Sequence, residues 1–578
     1  MNTFAESIRR LASTVVIVGM FFAARSFAAE AGQLEAKPAD TFFEKFAPKK
    51  APAPGGLLLK TGDRLAICGD SITEQKMYSR IIETYLTVCT PELKISTRQY
   101  GWSVQTAEGF LGRMGNDCLR FKPTVATTCY GMNDYKYGPY DEANARWYRE
   151  KYTAVARKFK DAGVRVVVGS PGCVGKVASW VKTASGTVED HNLHLCALRN
   201  IGIEIAEREE VRFADVFWPM FTSGFESRRK LGADYAVAGK DGVHPGWAGH
   251  VLMAYVYLRS MGLDGEIGTL TVDMKANRAE ATAGHTVQRF EGDELTITSQ
   301  RYPFCAAGRE DKDDSLRSGM ALLPFNQHLN RLILIARGGS ADNYRVTWAS
   351  ESRVYSAEQL AKGVNLAADF PTNPFSTAFS RVDEAVAAKQ AYETRQVQAV
   401  FHGNEGRTDM NAAVARTEAK RTPLVKAIQD ALVPVTHTLR IDPVAPAPST
   451  QATLELRSLT SPVLLPDGTE FLTWEQRPQF SKTYYVDGQH PAASDQNPGT
   501  PDRPFATINQ AAQVLQPGQR VIVAAGVYRE RLRPARGGSG PEAMISYEAA
   551  PGAQVVLKGS RVFREMWVRV EADAGASV

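Results

Sequence analysis

The sequence lacks three features that would assign it to a metal-binding, nucleic-acid-binding or membrane class. Its seven cysteines include no CxxC pair and no other metal-ligand spacing, which argues against a zinc site. The formal net charge is only +5 over 578 residues, and no stripe of Lys and Arg with interleaved aromatic residues is present, so nucleic acid is not expected as a partner. After residue 28 no apolar run reaches the roughly 20 residues that a bilayer span requires. The composition, with 44% hydrophobic and 23% charged residues, is that of globular domains.

The N-terminus has the pattern of a secretory signal peptide. Arg9 and Arg10 precede an apolar run over residues 11–24, and a small-residue cleavage site ends at Ala28. The alternative, a membrane anchor, is disfavoured because the run is too short to span a bilayer. We therefore expect residues 1–28 to be removed, leaving a periplasmic or secreted protein without a membrane span.

Seven cysteines are an odd number for an exported protein. Cys68 and Cys129 lie in apolar, strand-like runs, where a free thiol behaves as a small hydrophobic group. We expect these two to be buried. A disulfide among the other five stays open, because sequence alone does not pair them.

Composition and periodicity divide the remainder into domains and linkers. Residues 57–263 alternate short β-type runs with helical spacing, which is typical of βαβ units in a parallel sheet covered by helices on both faces. Residues 264–457 predict an α+β accessory region, whose two charged helices we interpret as a solvated outer layer. A linker rich in Ala, Lys and Pro is expected at 29–56. A second linker is expected at 458–482, after a Pro-rich joint at 442–449, and a last domain at 483–578.

The sharpest local signal is the stretch Ile67-Cys-Gly-Asp-Ser-Ile-Thr-Glu, an apolar strand followed by a tight turn and a helix. It presents Ser71 at the carboxyl end of a strand, where open α/β sheets bind ligands. The positive end of the following helix would favour negative charge developing there. The alternative is a simple Ser or Asp helix cap at a strand-to-helix turn.

Three further stretches supply the other groups that a serine nucleophile needs: a base, a group that orients the base, and donors for the oxyanion. They are Tyr100-Gly101-Trp102-Ser103, Tyr130-Gly131-Met132-Asn133-Asp134 and Asp241-Gly242-Val243-His244-Pro245. Each has an ordinary alternative as a turn or a helix cap. Because all follow predicted strands or precede a helix, one rim of one sheet would gather them. No catalytic role is assigned to His191, His194 or His250.

These four blocks resemble the SGNH (GDSL-like) hydrolase superfamily over roughly residues 60 to 262. The resemblance implies a three-layer, flavodoxin-like α/β fold. It implies Ser71 as nucleophile, His244 as base and Asp241 as the group that orients the imidazole. The oxyanion hole would combine the backbone N–H groups of Ser71 and Gly101 with the side-chain amide of Asn133. No step of this chemistry requires a metal or an organic cofactor.

The last domain is similar to the opening coils of pectin-lyase-like right-handed β-helices. The similarity lies in Tyr484-Tyr-Val-Asp-Gly, Asn497-Pro-Gly-Thr-Pro-Asp-Arg-Pro-Phe and Arg520-Val-Ile-Val-Ala-Ala-Gly-Val-Tyr. It implies a capping helix at 507–515 and short parallel strands at 521–524, 544–548 and 554–558. Since about three stacked repeats are the minimum for a solenoid core, we expect a partial β-helix.

Together these features predict an exported serine ester hydrolase that removes acetyl or other small acyl groups from a polysaccharide. A general short-chain carboxylesterase or lipase is one alternative. A non-catalytic carbohydrate-binding surface protein, in which the β-helix carries the function, is another. The expected partner is an acylated polysaccharide or small ester, and the oligomeric state is left open by the sequence.

Overall fold

A computed structural model of the chain describes residues 34–181, 186–444, 480–540 and 543–559. The chain divides into two compact units, residues 1–449 and 450–578. The predicted signal peptide, most of the linker predicted at 458–482 and the chain after residue 559 lie outside the described residues.

The N-terminal part of the first unit, residues 57–263, is built around five strands and seven helices. The strands are β1 Arg64–Gly69, β2 Ser96–Gln99, β3 Val125–Cys129, β4 Arg165–Gly169 and β5 Arg212–Ala214. The helices are α1 Ser71–Glu74, α2 Tyr78–Val88, α3 Ala107–Asp117, α4 Glu142–Asp161, α5 Val188–Glu209, α6 Phe217–Leu231 and α7 Trp247–Ser260.

All five strands are parallel, in the order β2-β1-β3-β4-β5. This is the flavodoxin-like order, in which ligands bind at the carboxyl ends of the strands where the winding reverses, next to β1 and β3. Strands β1, β3 and β4 are buried along almost their whole length because helices cover both faces of the sheet. The predicted α/β fold of this part is confirmed.

Two of these helices were not predicted from periodicity. Helix α3 carries glycine at 109, 112 and 115, and glycine lowers helix propensity. Its start is fixed instead by Thr106, whose hydroxyl accepts a hydrogen bond from the N–H of Gly109. Helix α6 begins directly after β5 and contains Pro219, so no loop signal separates it from the strand.

Residues 34–56 were expected to form a linker, and the structure corrects this. Phe43 and Phe46 are buried and pack against Phe221 of α6, with ring centroids 5.6 and 4.8 Å away. Burial of two aromatic side chains outweighs the Pro-rich and Lys-rich composition of the neighbouring residues. This segment is therefore part of the first unit.

The middle part, residues 264–444, is α+β as expected. Its strands are β6 Glu266–Asp273, β7 Arg278–Ala281, β8 His285–Glu291, β9 Glu294–Ser299, β10 Arg331–Arg337, β11 Asn343–Trp348, β12 Glu351–Ser356, β13 Val364–Asn365 and β14 Val435–Val444. They form two sheets, ordered β13-β10-β6-β7 and β12-β11-β14-β9-β8. The helices are α8 Leu316–Ala321, α9 Phe325–Leu329, α10 Ala357–Lys362, α11 Leu366–Asp369, α12 Ser376–Arg395, α13 Asn404–Thr408 and α14 Met410–Ala431, with a π-helical turn over Gln396–Phe401.

The interpretation of the charged helices as a solvated layer is wrong for α12. Lys389 of this helix is buried, and its Nζ lies 2.8 Å from Glu83 of α2 and 3.0 Å from Glu393. Arg421 of α14 lies 2.7 Å from the same Glu393. The charged side chains therefore face the N-terminal part, and both parts share one hydrophobic core.

The second unit has five strands and one helix in its described residues, β15 Lys482–Val486, β16 Gln519–Val523, β17 Gly526–Tyr528, β18 Ser546–Ala549, β19 Val555–Leu557 and α15 Ile508–Val514. The sheets β15-β16-β18 and β17-β19 are both parallel. Val486, Ile508, Leu515 and Val521 form a small separate core. The strands lie close to the positions predicted from the sequence, and the right-handed β-helix stays a prediction.

All seven cysteines lie in described segments, and each is a buried free thiol. The prediction for Cys68 and Cys129 is confirmed, and no disulfide joins the other five. In the described ranges, no helix combines the length and the apolar character needed to cross a membrane.

Candidate active site

The structure brings three of the predicted residues into one hydrogen-bonded chain. The Oγ atom of Ser71, the first residue of α1, lies 2.8 Å from Nε2 of His244. Nδ1 of His244 lies 2.7 Å from Oδ2 of Asp241. Because the carboxylate accepts from Nδ1–H, Nε2 carries the lone pair and is the acceptor for the serine hydroxyl. This arrangement can deprotonate Ser71 as it attacks an electrophile.

Asp241 is held by the loop it belongs to. Its Oδ1 accepts the N–H groups of Val243 at 2.9 Å and His244 at 2.8 Å. Partial burial alone would raise the pKa of the Asp241 carboxyl, but these N–H groups and the imidazole outweigh burial and lower it below its ordinary value. The group stays a carboxylate through neutral and mildly acidic pH.

Two of the three predicted oxyanion donors keep an N–H that has no hydrogen-bond partner among the described residues. The Ser71 N–H is at the start of a helix and has no hydrogen-bond partner among the described residues. Asn133 lies in the loop after β3, and its orientation is fixed at both ends of its amide. Its Nδ2 donates to the carbonyl of Gln105 at 3.1 Å, and its Oδ1 accepts from the hydroxyl of Tyr137 at 3.2 Å. One N–H of the Asn133 amide is left for a ligand.

The structure corrects the role predicted for Gly101. Its N–H donates to the side-chain Oε1 of Gln99 at 2.9 Å and is therefore not directed to a ligand. Glycine is needed there for a different reason. A Cβ at this position would lie 2.2 Å from the backbone nitrogen of Glu74 and 2.5 Å from the carbonyl carbon of Thr73. Gly101 lets its loop approach the helix that carries Ser71.

The family of the domain follows from comparison with known proteins. The model of the GDSL-like Lipase/Acylhydrolase family matches residues 67–252, which include Ser71, Asn133, Asp241 and His244. Residues 67–252 are a GDSL-like acylhydrolase domain. The chain is accordingly an enzyme that hydrolyses carboxylic esters, and the alternative of a non-catalytic binding protein is set aside.

Solved structures are similar to parts of this chain. A gut microbial diltiazem-metabolizing enzyme is similar with a TM-score of 0.54 and 20% identity, covering 68% of this chain and 100% of that chain. The acetylxylan esterase Axe2 from Geobacillus stearothermophilus matches 36% of this chain and 97% of its own, with a TM-score of 0.30 and 19% identity. No curated protein sequence matches the chain significantly. The first likeness extends beyond the acylhydrolase domain, so the fold of much of the first unit recurs there.

Two aromatic residues that the sequence did not single out lie beside the hydrogen-bonded chain of Ser71, His244 and Asp241. The ring of Trp180 lies 5.7 Å from that of His244, and Trp180 is 43% exposed. Its other neighbour is Tyr137, whose ring lies 6.2 Å away and whose hydroxyl holds Asn133. The only sequence feature that could have pointed to Tyr137 is its position four residues after Asn133.

Two buried carboxyl groups, those of Asp70 and Asp134, directly precede Ser71 and follow Asn133 in the sequence. Asp70 caps α1 by accepting the N–H of Ile72, and burial raises its pKa to about 7. Asp134 accepts the N–H groups of Ala107 and Gly131, and burial raises its pKa to about 6. Asp70 fixes the turn that precedes Ser71, and Asp134 ties the loop after β3 to the start of α3.

The histidines left without a catalytic role have structural partners. His250 is buried, accepts the N–H of Tyr78 on Nδ1 and donates from Nε2 to Gln75. Burial lowers its pKa to about 3, so it stays neutral. His194 bonds the carbonyl of Gly138, and His191 contacts Tyr135. The described segments contain no cluster of three or more His, Cys, Asp or Glu side chains that could hold a metal ion.

Proposed function

We propose that the protein is an exported serine esterase that removes acetyl or other small acyl groups from a polysaccharide. Ser71 is the nucleophile, His244 the base and Asp241 the orienting carboxylate. The hydrogen-bonded chain Ser71–His244–Asp241 at the carboxyl end of β1 is the observation that carries the proposal.

The reaction proceeds through an acyl-enzyme. Ser71 Oγ attacks the ester carbonyl carbon while its proton passes to Nε2 of His244. The tetrahedral oxyanion accepts hydrogen bonds from the Ser71 N–H and the Asn133 amide. His244 then protonates the leaving alcohol oxygen, and the C–O ester bond breaks. Water, deprotonated by His244, attacks the acyl carbon, and the proton returns to Ser71 as the carboxylic acid leaves.

Three observations support a polysaccharide as the alcohol side of the ester. Trp180 presents a large, partly exposed apolar surface beside His244, and such surfaces suit the apolar faces of sugar rings. The second unit contains parallel strands in a sequence similar to β-helices that act on pectin. The N-terminal sequence has the pattern of an export signal, which would bring the enzyme to extracellular glycans.

The test compares release of acetate from acetylated xylan and acetylated pectin with hydrolysis of p-nitrophenyl acetate. We expect the wild type to act on at least one glycan, and Ser71→Ala to lose on the order of 10⁶-fold in kcat on every substrate. Hydrolysis of the small ester alone would leave an esterase and refute the polysaccharide. Unchanged activity of Ser71→Ala would refute the nucleophile.

Graded variants separate the roles within the site. His244→Ala should lose about as much as Ser71→Ala, and Asp241→Ala on the order of 10⁴-fold. Asn133→Ala should lose about 10²–10³-fold in kcat, because it removes one oxyanion donor and leaves the nucleophile intact. If Asn133→Ala raised KM and left kcat unchanged, the amide would bind the substrate and not the transition state.

A further inference from the structure

A cleft of about 910 Å³ lies between the acylhydrolase domain and the middle part. One wall is α3, on the side of Gly109, Gly112 and Asn116. The opposite wall belongs to the middle part, with Gln398 in the π-helical turn and Arg407 in α13. Such a volume is within the range of binding sites for organic ligands.

The cleft begins at residues that hold the catalytic site. Trp102 and Gln105 line its near end. The carbonyl of Gln105 accepts the Nδ2–H of Asn133 at 3.1 Å, and the N–H of Trp102 donates to the carbonyl of Gly69 at 3.2 Å. Two residues that line the cleft are therefore hydrogen-bonded to the loops that carry the proposed oxyanion donor and nucleophile.

The floor of the cleft is open because α3 has glycine there. A Cβ at Gly112 would meet no atom within 4 Å, and a Cβ at Gly109 would lie 2.0 Å from Nε2 of Gln105. The side chain of Gln105 thus rests on Gly109, with its Oε1 accepting from Arg113 at 2.6 Å. Because glycine destabilises a helix, two glycines on this face indicate a role other than helix formation.

Four polar side chains that line the cleft have donor groups without a partner among the described residues. Nε2 of Gln105, Nδ2 of Asn116, the Gln398 amide and the Arg407 guanidinium have no hydrogen-bond or ion-pair partner within the described ranges. No carboxylate lines the cleft. Amide and guanidinium donors beside an indole match a ligand with many hydroxyl and carbonyl oxygens and little apolar surface.

We propose that this cleft binds the polysaccharide chain beyond the sugar whose ester is cleaved, and that the middle part supplies its second wall. The inference rests on the proposed function, since it names where the rest of the substrate lies. A small ester occupies only the triad and does not reach the cleft.

The full-length variant Gly112→Phe tests the cleft by filling it. Phenylalanine is tolerated better than glycine in a helix, and nothing stands where its Cβ would be. Gly115→Phe is the matched control, because Gly115 is in the same helix, is equally open and does not line the cleft. For Gly112→Phe, kcat/KM on acetylated xylan or pectin, divided by that on p-nitrophenyl acetate, should fall at least tenfold through KM. Gly115→Phe should keep the wild-type ratio.

A binding measurement separates the cleft from the chemistry. Calorimetry measures the affinity for deacetylated xylan and for polygalacturonate. The proteins are Ser71→Ala, the double variant that adds Gly112→Phe, and the triple variant that adds Gln398→Ala and Arg407→Ala. We expect the combined variants to bind at least fivefold more weakly than Ser71→Ala. If the wild type released no acetate from glycans while the variants still differed in binding, the proposed deacylation would be refuted and the proposed binding in the cleft would be supported. Equal binding by all variants, or no binding by any of them, would refute the proposal that the cleft binds the polysaccharide.

Discussion

Val104 lies in the loop between Gly101 and Gln105 and has a backbone φ of 61° despite its β-branched side chain. Its side chain is 80% exposed, so no packing compensates the left-handed conformation. Its N–H has no hydrogen-bond partner among the described residues. Backbone strain of this kind costs about 1–3 kcal/mol and is concentrated at functional sites. The loop of Val104 belongs to the candidate active site.

Val104→Gly should therefore stabilise the protein. Relief of the left-handed strain is about 1–2 kcal/mol, and the added freedom of glycine in the unfolded chain offsets roughly half of it. We expect the free energy of unfolding in urea to rise by up to about 1 kcal/mol. The control Val354→Gly, an exposed valine in strand β12, should lower it. A loss of stability in Val104→Gly would mean that the valine is not strained.

Asp70 makes stability depend on pH in a predictable direction. Its pKa is about 7 in the folded protein and ordinarily 3.8, so between these values the folded state holds a proton that the unfolded state has released. Stability from this group is complete below pH 4 and is lost as pH rises through 7, by an amount on the order of 4 kcal/mol.

Asp70→Asn should flatten this profile, because asparagine caps a helix equally well and does not ionise. The free energy of unfolding in urea should fall more between pH 4.5 and pH 7.5 for the wild type than for the variant. Exposed Asp311→Asn serves as the control and should leave the slope nearly unchanged. Parallel profiles for the wild type and Asp70→Asn would show that Asp70 is not a buried acid.

At the scale of single residues, the sequence predicted the triad because Ser71, Asp241 and His244 each stand in a short block with its own geometry. It predicted the wrong function for the Gly101 amide. That N–H is taken by Gln99, whose side chain is held by Thr394 and the carbonyl of Gln390 in α12. Contacts between residues almost 300 positions apart leave no local pattern.

The element that departs most from its predicted role is α12. Its periodicity identified it as a helix, but the burial of its charges follows from partners on α2 and α14. The π-helical turn at its end brings His402 to Asp117, with Nε2 and Oδ2 2.9 Å apart, and against the ring of Trp102. Through Gln99 and His402, α12 and this turn support the loop that packs against the helix of Ser71.

Lys389→Ala should destabilise the first unit by about 3–5 kcal/mol, because it leaves Glu83 and Glu393 buried with one cation fewer. The matched control is Lys362→Ala, which breaks an exposed i,i+4 pair with Glu358 and should change stability by less than about 0.5 kcal/mol. Urea unfolding measures both. Similar effects of the two substitutions would contradict the buried network.

On the scale of the whole molecule, the N-terminal and middle parts are one folding unit and residues 450–578 are another. The sequence indicated three domains, since composition and periodicity change near residue 264. A shared core is made by side chains far apart in the chain, and such pairing is not readable from either segment alone.

Removing residues 450–578 should leave hydrolysis of p-nitrophenyl acetate within about twofold of the wild type. Every residue of the proposed site lies in the first unit, and the second unit has its own core. Steady-state kinetics of the shortened protein check this. Loss of Ser71-dependent hydrolysis by a folded, soluble fragment would show that the second unit takes part in the chemistry.

The seven buried thiols give the protein a set of internal reporters. Burial raises the pKa of Cys129 and Cys305 to about 12, so in the native state they resist alkylation. An alkylating reagent can then reach each sulfur only during an opening of its own surroundings. Mass spectrometry of the labelled peptides would measure separately how fast β1, β3 and the middle part open, in a chain that carries no substitution.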